Sequence, residues 1–435
     1  MSNAIEKEEP GAEREEDEAR QEQGLQETHD AAPMAMDDEG AQAPTQKRGG
    51  GGTHPNKGTR DKQAQFYANQ FAIPEWMVEV PRDLNGQHST EEEGGGWFVM
   101  PRPEGKRCLM VASGGITVTR LANGEVLHRF PSALPNGSQR AKGPRDGWTL
   151  LDCIYHEATR TYFVLDLLCW RKMELYDCTC KFRLFFLRSK FAEELGEESA
   201  VAAAATTAAV AAGGGFRLEP LPYFECDSAG LRRAYGESVP FVRDGLLFWS
   251  KQGYVEMGLS PLVLLWKDMQ CSRYFLRDTQ QQQQQQQQFL SCVLVVKKAA
   301  GKGGMEGGYP LSTLDGLVVG RATLEEVNAW GVGQGGGGGG GAVGGEEEEG
   351  VLVRFWFEGA TEDEEGNEQL LHGLRFNKHC SLKRATADAW SKLLFHSRAK
   401  EGGREGGRAV TFDLLLQAVE RSAQEEGEEA EEMMR

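Results

Sequence analysis

Apolar and polar positions alternate in short runs along the middle of the chain. The pattern predicts strands at Trp97 to Met100, Arg107 to Ala112, Ile116 to Arg120 and Glu125 to Phe130. Asn123-Gly124 between the last two is a hairpin signature. Longer strands are expected over Thr149 to Tyr155, Tyr162 to Leu168 and Lys181 to Ser189, with a helix near Ser228 to Tyr235. Together these predict an α+β domain built mostly from antiparallel sheet. Further on, Val351 to Phe357 reads as a strand and Leu382 to His396 as an amphipathic helix.

Outside these patterns the composition changes. Residues 1–65 are rich in Glu, Gln, Ala and Gly and nearly free of aromatics, so they offer too little apolar area for a core. An ordered domain is expected over 66–298, interrupted by spacers at 196–215 (alanine, threonine and glycine) and 279–288 (glutamine). Residues 299–435 include a glycine run, Gly335 to Gly341, and are expected to be a partly ordered low-complexity extension.

Charge sharpens this division. The chain of 435 residues carries a formal net charge of −18, yet residues 97–190 hold fifteen Lys and Arg against eight Asp and Glu. Residues 1–46 hold fourteen acids against three bases. A basic domain in an acidic chain favours a phosphate-bearing ligand. The nine cysteines, an odd number, read as reduced thiols. Cys178 and Cys180 would share one face of a strand, and with no second pair a zinc site is not expected. No apolar run is long enough to cross a membrane, and neither metal nor cofactor is expected.

Five short motifs fall in the order used by covalent nucleotidyltransferases. Arg102-Pro103-Glu104-Gly105-Lys106-Arg107 takes the place of the KxDGxR motif whose lysine attacks an α-phosphate. Leu151 to Tyr155 takes the place of a DGE-type strand, with Cys153 and Ile154 at the glycine and the acid. Phe163 to Leu168 embeds Asp166 in an apolar strand, and Asp244-Gly245-Leu246 opens another. Leu264-Leu265-Trp266-Lys267 stands for a KxK strand lacking its first lysine. Arginine stays charged to above pH 12 and offers no lone pair, so Arg102 cannot act as the nucleophile. The motifs imply a nucleotide-binding fold without its chemistry, not an enzyme.

From Ala68 to Lys267 the sequence resembles the snurportins, which carry spliceosomal small nuclear ribonucleoproteins (snRNPs) into the nucleus by their trimethylguanosine (m3G) cap. The resemblance rests on Tyr67-Ala68-Asn69-Gln70, Glu75-Trp76, Gly105-Lys106-Arg107, Leu151 to Tyr155, Cys169-Trp170-Arg171, Tyr176-Asp177-Cys178 and Pro261-Leu262-Val263. It implies a capping-enzyme-like, nucleotidyltransferase-like fold and a cap site. Trp266 would stack on the methylated base, Trp76 would pack nearby, and Ile73 with Pro74 would line an apolar wall. Arg102, Lys106, Arg107 and Lys267, and more distantly Arg120 and Lys142, would meet the triphosphate.

Three functions are expected on this basis. They are an m3G-cap-binding adaptor for snRNP import, a cap binder that engages no importin, and an active RNA guanylyltransferase or ligase. The resemblance implies an importin-β-type import receptor, but the arginine-rich helix that would meet it is not recognisable in the acidic segment before the domain. An export receptor is a further expected partner, and shuttling between cytoplasm and nucleus the expected localisation.

Overall fold

The computed structural model describes residues 64–86, 95–139, 147–195, 215–273, 275, 289–297, 308–331, 342–343, 350–363, 369–380, 386–401 and 409–421. Lys142, most of the 196–215 and 279–288 spacers and the polyglycine run lie outside them. The first strands are β1 (Ala72–Trp76), β2 (Trp97–Pro103), β3 (Lys106–Ser113), β4 (Ile116–Leu121) and β5 (Val126–Phe130). Then come β6 (Trp148–His156), β7 (Thr161–Trp170), β8 (Met173–Glu174), helix α1 (Cys180–Lys190), β9 (Arg217–Pro220) and β10 (Phe224–Glu225). Helix α2 (Ser228–Gly236), β11 (Arg243–Ser250) and β12 (Gly258–Trp266) complete this part.

These strands form two sheets packed face to face, the arrangement expected of a mixed α+β domain. One sheet runs β1-β12-β11-β2-β10, with β1 parallel to β12 and the other pairs antiparallel. The other runs β5-β4-β3-β6-β7-β8, and β9 joins β7 in parallel. Because strand side chains alternate between faces, each strand divides its residues between two cores. Met100, Leu247 and Leu265 of the first sheet meet Ile154, Phe163 and Leu165 of the second in the inter-sheet core. Val99, Leu246, Phe248, Leu264 and Trp266 face the other way, against Leu231 and Ala234 of α2.

Two buried ion pairs sit at the motif aspartates of β6 and β7. Asp152 accepts from Arg107 Nε at 3.1 Å and Nη2 at 2.5 Å. Asp166 accepts from Arg183 Nε at 3.0 Å, and Arg183 also reaches the carbonyl of Gly253 at 3.1 Å. Arg183 thereby ties α1 to the centre of β7. This overturns the strand expected at Lys181 to Ser189. Thr179 caps the helix through Phe182 N, and Cys180, Arg183, Leu184 and Leu187 form the buried stripe at helical spacing. Phe182 and Phe185 are exposed, so the apolar run reads as a strand only because two of its aromatics face water. Cys178 and Cys180 accordingly share no strand face, and all nine cysteines are free thiols.

The C-terminal part is more ordered than its composition suggests. Its strands are β13 (Leu290–Lys297), β14 (Tyr309–Ser312), β15 (Val318–Ala322), β16 (Ala342–Val343) and β17 (Gly350–Phe357), with α3 (Leu324–Ala329) after β15. The hairpin β18 (Gly359–Glu362) and β19 (Gln369–His372) comes next, then β20 (Arg375–His379) and α4 (Trp390–Glu401). A last helix, α5, spans 412–421. Strands β15-β14-β13-β17-β16, with β20 on β17, make one antiparallel sheet with a core of its own. β13 therefore belongs to the C-terminal sheet, and the first domain closes before residue 290 rather than at 298.

Candidate cap-binding site

The inward faces of β2 and β12 continue past the inter-sheet core to two cations. Two residues beyond Met100 stands Arg102, and two beyond Leu265 stands Lys267. Between them β11 brings Asp244, and a bulge makes this possible. Arg243 pairs with Pro103 but Leu246 pairs with Pro101, so β11 holds one extra residue. Gly245 absorbs it at φ +102, where a Cβ would lie 2.6 Å from the Trp266 carbonyl oxygen. The bulge turns Asp244 inward although Leu246 faces outward.

Asp244 then joins the three motif positions. Lys267 Nζ donates to its Oδ1 at 2.7 Å, Ser272 Oγ to the same oxygen at 2.5 Å, and Arg102 Nη1 to Oδ2. Side-chain exposure is 12% at Arg102, 7% at Asp244 and 13% at Lys267, so the cluster is nearly closed to water. Burial alone would raise the Asp244 pKa, but Lys267 and Arg102 beside it hold it below the usual carboxylate value. Lys267 Nζ also lies 5.8 Å from the ring centroid of Trp76, at the end of β1. Two cations, one carboxylate and a partly open indole thus form one corner.

This corner lies within a stretch of recognisable ancestry. Residues 70–268 match the family model described as Snurportin1, m3G cap-binding domain. The stretch is a snurportin-family domain. Three ligase structures are also similar to the chain. The first, titled as a structure-function analysis of Lig E DNA ligases, is 13% identical at TM-score 0.29, over 71% of this chain and 98% of that one. A mycobacterial DNA ligase D complexed with ATP is 12% identical at TM-score 0.27, over 71% and 95%. Chlorella virus DNA ligase-adenylate is 11% identical at TM-score 0.25, over 65% and 92%. Superpositions this loose say nothing of activity.

Within the snurportin domain the expected site residues separate. Arg102 and Lys267 meet at Asp244, and Trp76 lies beside Lys267. Trp266 does not join them. It is 0% exposed and lies one residue out of phase, on the outer face of β12. Its indole N–H donates to the Val410 carbonyl at 2.8 Å, and Tyr235 and Phe412 pack around it at about 6 Å. No base can stack there without taking the C-terminal segment away, so the structure does not bring Trp266 to the corner, unlike the stacking role that the resemblance implies.

Arg107 is spent on Asp152 and is buried, which removes it from the phosphate set. Lys106 points to the opposite face of the same sheet, part-exposed, with Glu157 at 3.4 Å. Arg120 is buried against Tyr67, its guanidinium 4.5 Å from that ring, and donates to the Gly124 carbonyl at 2.8 Å. Ile73 and Pro74 are buried in β1 opposite Leu259 and Ser260 and present no open wall. Lys142 lies outside the described residues.

Sequence reasoning left Asp244, Ser272, Phe395 and His396 out of the site. Asp244 was legible, since the Asp-Gly-Leu motif names it. The other three were not. Phe395 and His396 come from α4, more than a hundred residues away, and pack on Trp76 with centroids 5.1 and 4.8 Å apart. Among the described residues no group of His, Cys, Asp and Glu is arranged to hold a metal ion, and no helix is long and apolar enough to cross a membrane.

Proposed function

We propose that this chain binds the m3G cap of spliceosomal U snRNA at the Trp76 corner and serves as an adaptor for snRNP nuclear import, shuttling between cytoplasm and nucleus. The observation that carries the reading is the convergence of Arg102 and Lys267 on Asp244 with Trp76 beside Lys267, inside the stretch that matches the snurportin model. N7 methylation gives guanine a delocalised positive charge, and tryptophan is the side chain best suited to face it. Lys267 holds that position beside Trp76 in the free protein, and a cationic base would take its place. The triphosphate would then take the hydrogen bonds that Arg102 and Lys267 give to Asp244.

The reading is one of binding without chemistry. Arg102 stands where a covalent nucleotidyltransferase has its nucleophilic lysine, and its charge is committed to Asp244. Import adaptation rests on family membership alone. A cap binder that engages no importin is the second reading, favoured by the acidic composition ahead of the domain.

Equilibrium binding of trimethylguanosine and monomethylguanosine cap dinucleotides to the full chain tests the proposal. Preference for the trimethyl form is expected, and equal or absent binding of both overturns it. Incubation with labelled GTP and magnesium tests the enzyme alternative, and a covalent GMP adduct would show that the motif assignment is displaced. Capture of importin-β by the full chain separates the two binding readings.

A further inference from the structure

We infer that α4 is an intramolecular plug of the cap site, and that capped RNA must displace it. The inference rests on the cap-binding reading above and goes beyond the matched stretch, which ends at residue 268.

The observations concern how Trp76 is covered. His396 meets its ring nearly at right angles (80°) with centroids 4.8 Å apart, and Phe395 lies against it at 5.1 Å. An edge-on ring at that distance takes the surface that a purine needs for parallel stacking. The contact is anchored on both sides of the tryptophan. The Trp76 backbone N–H donates to Ser391 Oγ at 3.1 Å, and Arg398 Nη1 donates to the Val78 carbonyl at 2.7 Å. Arg398 Nη2 in turn meets Glu362 of β18 at 2.8 Å. The polar half of the corner is equally closed, with Arg102, Asp244 and Lys267 almost out of contact with water. His396 and Phe395 lie against the Trp76 ring, so a base that stacks on the surface they cover needs α4 to move.

The links that hold α4 suit a reversible contact. Its polar links to the snurportin domain include, among the described residues, two hydrogen bonds to backbone groups of 76–78 and an ion pair with Glu79 at 3.8 Å. On its other side, Ser397 Oγ accepts from Ala360 N at 2.8 Å, and Leu393 and Leu394 enter the core of the C-terminal sheet. The helix therefore joins the C-terminal sheet through Leu393 and Leu394, and meets the snurportin domain through Phe395, buried in its outer core, and His396. Its departure would uncover Phe395 while its contacts with that sheet persist. A protein whose binding-competent state is a minor population binds with its intrinsic affinity reduced by that fraction. Loosening α4 therefore strengthens cap binding.

The test uses the full chain, with trimethylguanosine cap dinucleotide as the probe. Saturable binding is measured for wild type and for Arg398→Ala, and amide hydrogen exchange of residues 391–401 is followed with and without saturating cap. Arg398→Ala is expected to bind about threefold tighter or more, and cap is expected to speed exchange in 391–401 of the wild type. Exchange that slows or stays unchanged while cap binds overturns the plug and leaves cap recognition standing. Binding by neither protein overturns both.

Discussion

Lys267 Nζ and Asp244 Oδ1 lie 2.7 Å apart across the ends of β12 and β11, and Arg102 takes the other carboxylate oxygen. One carboxylate thus serves two cations. The surplus positive charge sits beside an indole in a corner nearly closed to water, where hydrogen bonds to an anion are stronger than in solution. On the proposed reading, Asp244 holds the place that a phosphate would take.

Removing that carboxylate exposes the arrangement. Asp244→Asn leaves Arg102 and Lys267 buried beside each other without a counter-charge, and a broken buried pair of this kind costs about 3–5 kcal/mol. Because the folded Asp244 titrates below its unfolded value of about 3.9, its contribution is present above that pH and is lost as pH falls through the lower folded value. Urea midpoints should therefore fall on acidification below about pH 4 more steeply in wild type than in Asp244→Asn.

Gly245 is the backbone condition for the corner. An alanine there keeps a φ of +102 and drives its Cβ against the Trp266 carbonyl. Gly245→Ala should destabilise the chain by roughly 1–3 kcal/mol and weaken cap binding further, because the bulge that turns Asp244 inward is lost. Thermal unfolding with a parallel binding isotherm checks both effects. A variant of unchanged stability and affinity would show that the bulge is dispensable.

His396 makes the α4 contact sensitive to acid. Burial, then Lys392 and Lys267, outweigh Asp388 and push the imidazole down to about 3. A base whose folded pKa lies below its unfolded value of about 6.5 stabilises the fold fully above that pH and progressively less as pH falls toward 3. Wild type should lose stability from about pH 6.5 downward with a slope that His396→Leu lacks. Identical slopes in the two proteins would remove His396 from the contact.

The strands of the snurportin domain were legible as short apolar runs bounded by turn signals, although β6 and β7 are buried along nearly their whole length. Helix α1 was not, because Phe182 and Phe185 are apolar and exposed, which hides the stripe of Cys180, Arg183 and Leu187. At the corner, the motifs name Arg102 and Lys267, and both lie on the inward phase of their strands and meet Asp244. Trp266 lies one residue out of phase with Leu265, and on a strand one residue is the difference between the two faces. No local pattern distinguishes an indole meant for a ligand from one meant for Val410. The α4 contact was beyond reach for another reason. It joins residues 76 and 396 across two sheets, and nothing in either segment names the other.

Binding of trimethylguanosine cap dinucleotide to wild type, Trp76→Ala and Trp266→Phe tests the Trp76 corner most directly. Base stacking on an aromatic contributes about 1–3 kcal/mol. Trp76→Ala should therefore weaken binding by about tenfold or more, while Trp266→Phe, which keeps a ring in the outer core, should stay within about twofold of wild type. Full affinity in Trp76→Ala with loss in Trp266→Phe would contradict the account and place the cap on the outer face of the sheet.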